Sequence, residues 1–218
     1  MIKINQETDA LGVIDMQRDF NGDDPNAPLG VFGASKLVYV INRLTDVFKS
    51  KFASRDAHSR NHKSFAETHG LDNFTQFEMP YGMQTLWPVH CVRGTRGADY
   101  IDGLVTDDFF AVIYKGMNPE IDSYSAFFEN DRVTATGLGG LLKERGLTRL
   151  FFVGIAKYHC VAYSCLDAAR LGFEVYLIDD ASVAIDDQFA GPEEQEDFAR
   201  QRLLDAGVKI ITTADLEF

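Results

Sequence analysis

No stretch of this chain approaches the ~18 consecutive apolar residues of a membrane span. Its opening segment, Met1 to Ala10, holds no apolar core of the length a signal peptide needs. Cysteine is scarce: Cys91, Cys160 and Cys165 are the only 3. Three cannot all pair within one chain, so they read as thiols of a reducing compartment, and a cytoplasmic protein is expected. Positive charge is also in short supply, with 21 Lys and Arg against 33 Asp and Glu and a formal net charge of −12. That sign repels nucleic acid and anionic membrane, which argues against both as partners. Neither tandem repeats, low-complexity tracts nor Pro/Ser-rich linkers divide the chain.

What remains is an ordinary globular mix, 45% apolar and 25% charged over 218 residues. A chain of that length buries about 70% of its unfolded surface and needs no disulfide or metal merely to fold. One domain spanning 1–218 is the expectation, with two small domains as the alternative. Short apolar runs alternate with helical spacing. Leu11 to Asp15, Phe52 to Arg55, Phe110 to Tyr114, Leu150 to Val153, Glu174 to Ile178 and Val208 to Ile211 read as strands. Ser35 to Lys49, a helix ending near Gly146, His159 to Leu171 and Glu193 to Ala206 read as helices, several closed by glycine. Alternation of this kind predicts an α/β fold, a mostly parallel sheet covered by helices on both faces. Ligands of such sheets sit beyond the carboxyl ends of the strands. That rule points at Asp15, Asp56, Lys115 and the segment after Gly154. The connection between the second and third strands is about fifty residues long with little helical periodicity, and structureless connections of that length are often functional. It carries His58, His62, His69 and His90, all but one of the 5 histidines.

Four constellations are capable of chemistry. In extended chain Asp56 and His58 face the same way, so carboxylate oxygen and imidazole can grip one ion, a donor set that suits zinc, iron or manganese. His62 reaches the same centre if the chain turns, and His90 can supply a distant ligand. Cys160 follows the Leu150 strand near a helix N-terminus, where the dipole and open N–H groups favour thiolate and can hold an oxyanion. Cys165 reads as core. Asp15 and Lys115 each end a strand, as base and as the cation that keeps that base charged. Phe20, Trp87 and Tyr124 fall in loops on the same side and can wall a pocket for a flat ring. For each set a bland alternative stays open: a polar loop, a buried structural thiol, solvated strand ends, aromatics plugging the domain.

Taken together, five stretches resemble the nicotinamidase branch of the isochorismatase-like hydrolase superfamily. They are Leu11 to Phe20 (LGVIDMQRDF), Arg55 to Phe65 (RDAHSRNHKSF), Leu86 to Gly94 (LWPVHCVRG), Tyr114 to Phe128 (YKGMNPEIDSYSAFF) and Phe152 to Ala168 (FVGIAKYHCVAYSCLDA). They keep the family's order across nearly the whole chain. The resemblance implies a six-stranded parallel sheet between helices, a Rossmann-like three-layer α/β/α sandwich. It implies Asp15, Lys115 and Cys160 as catalytic triad, and Asp56, His58 and His90 as ligands of one divalent metal, zinc first, with iron or manganese as alternatives. His62 matches a further ligand of some relatives. Phe20, Trp87 and Tyr124 match the residues around the nicotinamide ring. A cis peptide before Ala156 is implied, with the amides of Ala156 and Cys160 as oxyanion hole. The implied activity is hydrolysis of nicotinamide to nicotinate and ammonia through a thioester, in NAD salvage, with a homo-oligomer left open. One departure stands out: where many relatives read Ala-Thr-Asp-Tyr-Cys, this chain reads Ala156-Lys-Tyr-His-Cys160. Lys157 and His159 are expected to make the local field more positive and to favour thiolate. The same change keeps two alternatives in view: a sister hydrolase of another small amide or N-carbamoyl compound, and a nicotinamide-binding protein without turnover.

Overall fold

The computed structural model describes residues 1–186 and 191–217. Its elements in chain order are β1 (Ile2–Lys3), β2 (Asp9–Ile14), α1 (Ala34–Thr45), β3 (Ser50–Asp56), α2 (Ala66–His69), β4 (Gln76–Met79), β5 (Gly82–Thr85), β6 (Ala111–Lys115), α3 (Leu138–Glu144), β7 (Arg149–Ile155), α4 (Ala162–Arg170), β8 (Glu174–Val183), α5 (Glu196–Asp205), β9 (Lys209–Ile211) and β10 (Leu216–Glu217). Six of the strands form one all-parallel sheet in the order β6-β3-β2-β7-β8-β9. The order reverses between β2 and β7, and the crevice at such a reversal is where open α/β sheets take their ligands.

Period two along the central strands explains the layers. Leu11, Val13, Phe151 and Val153 pack on one face, with Leu37, Ile41 and Leu44 of α1. Ala10, Ile14, Leu150 and Phe152 pack on the other, with Leu138 and Leu142 of α3, Ala162 and Cys165 of α4, and Leu203 of α5. Both faces are covered, so β2 is buried at every residue and reads as an unbroken apolar run rather than an alternating one. Its one charge, Asp9, is buried and accepts from Arg149 Nε at 2.8 Å. Among the described residues no helix is long and apolar enough to cross a membrane.

Three expectations need correction. The fifth strand does not stop at Ile178. It runs through Asp179 and Asp180 to Val183 as an irregular continuation, its register against β7 shifting between Phe152 and Gly154. The helix expected from His159 begins at Ala162. Before it lies a wide turn, Lys157–Val161, closed by Val161 N–H donating to the Ala156 carbonyl at 3.2 Å, with His159 off the helical region at φ −106, ψ −106. The long connection is not structureless: β4 and β5 make an antiparallel hairpin and α2 a single short turn.

Gly154 sits in β7 with φ +118, and a Cβ there would lie 2.1 Å from the Ile14 carbonyl oxygen. Gly154→Ala therefore forces apart the two strands that flank the crevice. A loss of about 3 kcal/mol or more in a denaturant titration is expected, and a loss under 1 kcal/mol would show that the crevice backbone tolerates movement.

Candidate active site

Asp15 follows β2 directly, at φ +47, and is fully buried. Its Oδ1 accepts from Ser54 Oγ at 2.6 Å, and its Oδ2 lies 2.8 Å from Lys115 Nζ. Lys115 closes β6, and its side chain reaches the same crevice. Its ammonium donates to Asp56 Oδ1, to the Ser123 carbonyl at 2.9 Å and to Cys160 Sγ at 3.5 Å. The wide turn after β7 delivers Cys160. Ligand atoms of Asp15, Asp56 and Cys160 lie within 4.8 Å of one another, but the Lys115 ammonium already pairs with all three, so this trio is no cation site.

The two carboxylates differ in what surrounds them. Burial holds Asp15 above the usual carboxylate range, with Lys115 pulling it down and Asp56 pushing it up. Burial also opposes ionisation of Asp56, but Lys115 and His58 outweigh it and keep Asp56 well below the usual range. Lys115 is held well above the ordinary lysine range: burial works against its charge, and Asp15 and Asp56 outweigh burial. The Cys160 thiol is pushed well up, first by burial and then by the two carboxylates, against Lys115. The expected thiolate-favouring field is therefore not there. Lys157 Nζ turns to Asp179 Oδ1 at 3.1 Å, which Arg200 also approaches at 3.7 Å. Burial lowers His159 to about 4, leaving it uncharged near neutrality. Neither new residue brings net positive charge to the sulfur. A thiol held in this way needs a base at hand rather than spontaneous ionisation.

Beside this cluster, His58 Nε2 and His90 Nε2 lie 3.6 and 3.7 Å from the same oxygen, Asp56 Oδ2. Those separations are long for hydrogen bonds and slightly wider than the ~3.0–3.4 Å between ligands that share one metal at ~2.1 Å. Each ring is turned by its other nitrogen. His58 Nδ1 donates to the Gly116 carbonyl at 3.1 Å and His90 Nδ1 to the Pro88 carbonyl at 2.7 Å. A donated Nδ1–H leaves Nε2 with a free lone pair, the arrangement metal-ligating histidines adopt. Gly116, at φ +62, makes room: a Cβ there would lie 2.4 Å from the His58 ring. The donor set thus fits a divalent ion. His62 is placed otherwise. Its ring lies 4.5 Å from that of His58, but Nε2 donates to the Asn118 carbonyl at 2.7 Å and Nδ1 accepts from Ser64 N–H at 3.1 Å. Both nitrogens are used, so His62 braces the loop.

A pocket opens over Cys160, and Phe20, Trp87, Tyr124, Asp56, His90 and Ala156 all line it. Trp87 Nε1 donates to Tyr124 Oη at 3.1 Å, which locks the two rings at 72°. Phe20 lies 5.4 Å from His90. The Ile155–Ala156 peptide is cis. The sequence reading missed Leu29, Ile185, Asp122 and the pocket role of His159. Asp122 is buried, its Oδ2 accepting from Gln84 Nε2 at 2.9 Å. Its only signal in the sequence is an acid inside the Asp-Ser-Tyr-Ser-Ala-Phe stretch.

The isochorismatase domain family model matches residues 9–215. A curated relative, the nicotinamidase of Acinetobacter baylyi, is 42% identical over 95% of this chain and 94% of its own length. A crystal structure of PnC1 from L. infantum in complex with nicotinate is 36% identical, with a TM-score of 0.84 over 99% of this chain and 98% of that one. The pyrazinamidase of Pyrococcus horikoshii in complex with zinc is 34% identical, with a TM-score of 0.72 over 94% and 98%. A family match over nearly the whole length and identities of this size lead to one assignment: the chain belongs to the isochorismatase family.

Proposed function

We propose that this chain is a nicotinamidase, a metal-dependent cysteine amidohydrolase that turns nicotinamide and water into nicotinate and ammonia. The observation that carries the reading is the buried Asp15–Lys115–Cys160 cluster at the base of an aromatic-walled pocket that Asp56 and His90 also line. Curated and solved relatives support it by what they are named for and bind: nicotinamidase activity, nicotinate and zinc.

In this reading Asp15 takes the thiol proton as Cys160 Sγ bonds to the carboxamide carbon. The C=O electrons move onto oxygen, and the N–H groups of Ala156 and Cys160 receive the oxyanion. As the tetrahedral centre collapses the C–N bond breaks, and Asp15 returns its proton to the departing nitrogen, releasing ammonia. Asp15 then takes a proton from water as its oxygen attacks the thioester. The C–S bond breaks, the sulfur is reprotonated, and nicotinate leaves. Lys115 is present throughout as the fixed countercharge of Asp15. Phe20, Trp87 and Tyr124 hold the ring. Asp56, His58 and His90 would hold the ion, which when bound would supply a Lewis-acidic point toward the substrate ring. The relative's zinc makes zinc the first choice for this chain, before iron or manganese. One domain over 1–218 and a cytoplasmic setting complete the proposal, the latter because all three cysteines are free and buried.

The deciding experiment is ammonia release from nicotinamide by the purified, metal-analysed protein, beside a panel of other small amides. Turnover of an N-carbamoyl compound and not of nicotinamide would overturn the reading. His58→Ala is expected to lower bound metal and nicotinamide affinity together, by about tenfold or more. His62→Ala is expected to keep the metal, because both of its ring nitrogens are spent on the loop. Equal metal loss in the two variants would make His62 a fourth ligand.

A further inference from the structure

Among the described residues, His159 is a wall of the pocket with both ring nitrogens buried and unpartnered. The residue is 4% exposed, and neither Nδ1 nor Nε2 has a hydrogen-bond partner. Its ring stands edge-on to Trp87 at 5.4 Å and to Tyr124 at 5.8 Å, and it lines the same cavity as Cys160. The off-helical backbone at His159 allows it to share the pocket with its neighbour Cys160, where helical residues next to each other would diverge. Burying an imidazole with both nitrogens unpaired costs free energy, and a phenylalanine would fill the same wall without that cost. Other polar groups in and beneath the pocket have partners. Lys115 and Asp15 bond each other and their neighbours, His90 Nδ1 is held by Pro88, and Asp122 accepts from Gln84 and the Ser123 amide. A neutral imidazole offers one donor and one acceptor, and neither is spent on a described residue.

We propose that His159 is a specificity-determining residue that hydrogen-bonds the ring edge of the substrate. It would thereby favour heteroaromatic carboxamides carrying a polar group on that edge. This deepens the nicotinamidase reading and rests on it for the placement of the ring. With the carboxamide carbon at Cys160 and the ring nitrogen toward Asp56 and His90, the edge left over meets the aromatic corner of Trp87, Tyr124 and His159. A ring amino group there can donate to the acceptor nitrogen, which either tautomer of a neutral imidazole presents.

The test separates affinity from turnover. Dissociation constants are measured by calorimetry on the metal-loaded Cys160→Ala protein, with His159 and with His159→Phe. The ligands are nicotinamide and each isomer of nicotinamide bearing an amino group on one ring carbon. With His159, at least one isomer is expected to bind better relative to nicotinamide, and His159→Phe is expected to reduce that preference tenfold or more. The ligand-free Tm should rise in His159→Phe, since an unpaired buried imidazole is gone. Preferences unchanged within threefold at every ring position would overturn the proposal, as would a lowered Tm with unchanged preferences, which would make His159 a packing residue. Absence of ammonia release from nicotinamide by the unmodified chain would instead count against the proposed activity, a separate outcome.

Discussion

Cys160→Ala is expected to remove ammonia release by about 10⁴-fold or more, because no other group in the pocket can form the covalent intermediate. The sulfur sits at the pocket floor, where Lys115 Nζ donates to it at 3.5 Å. Truncating it leaves room that the open pocket already has, so the stability cost should stay near 1 kcal/mol. Cys165→Ala is the comparison. That thiol is fully buried in the core beside α3 and α5, where burial alone keeps it protonated. Its loss should cost about 1–2 kcal/mol in stability and little in rate. Wild-type turnover by Cys160→Ala would remove the nucleophile assignment, and a thioester trapped at Cys160 in single turnover would remove the binding-protein alternative.

Asp15→Asn keeps the shape of the side chain and deletes the base. A fall in kcat/KM of about a hundredfold or more is expected, the lower end for a positioned acid–base group. The pH profile carries the finer prediction. Asp15 must be ionised to take the thiol proton, and its pKa is raised by burial. The acid limb of kcat/KM should therefore lie above the ~4 of an ordinary carboxylate. Lys115 is the largest influence lowering that pKa. Lys115→Met removes it, so the Asp15 pKa rises further and the acid limb moves to higher pH. The Cys160 thiol loses the same cation and becomes still harder to ionise. A limb that stays in place on Lys115→Met would show that another group sets it.

Much of this was legible in the chain because the site lies where short-range rules apply. Short unbroken apolar runs at Leu11–Ile14 and Leu150–Val153 mark buried strands, and in a parallel sheet the residue after each strand faces the crevice. That rule alone gathers Asp15, Asp56, Lys115 and the turn holding Cys160. The alternation of Asp56 and His58 turns both the same way, and His58 Nε2 lies 3.6 Å from Asp56 Oδ2. The misses have a common cause. They depend on contacts between segments that sequence spacing does not order. The β4–β5 hairpin is only four residues a strand, and the apolar face of β4 amounts to Phe77 and Met79, too short an alternation to announce it. The Asp179–Asp180 pair interrupts the apolar run of β8, although pairing with β7 carries the strand onward. Lys157 departs from the pattern of many relatives toward positive charge, but Asp179, on the neighbouring strand, claims its ammonium. His62 resembles a ligand in the sequence, and only the folded loop reveals Asn118 and Ser64 as its partners.

The position of β2 at the reversal of the sheet has a consequence for synthesis. This strand leaves the ribosome among the first, yet one of its two neighbours is β7, and the ion pair that fixes their alignment, Asp9 with Arg149, spans 140 residues. At 5–20 residues per second, roughly 7–28 s separate the two. Throughout that interval the nascent chain displays an unpaired apolar strand edge, and the future base waits without a nucleophile. Fragments that end before β7 are therefore inert. They are also the species with most need of a chaperone, so the last third of the chain both protects the first strand and arms it.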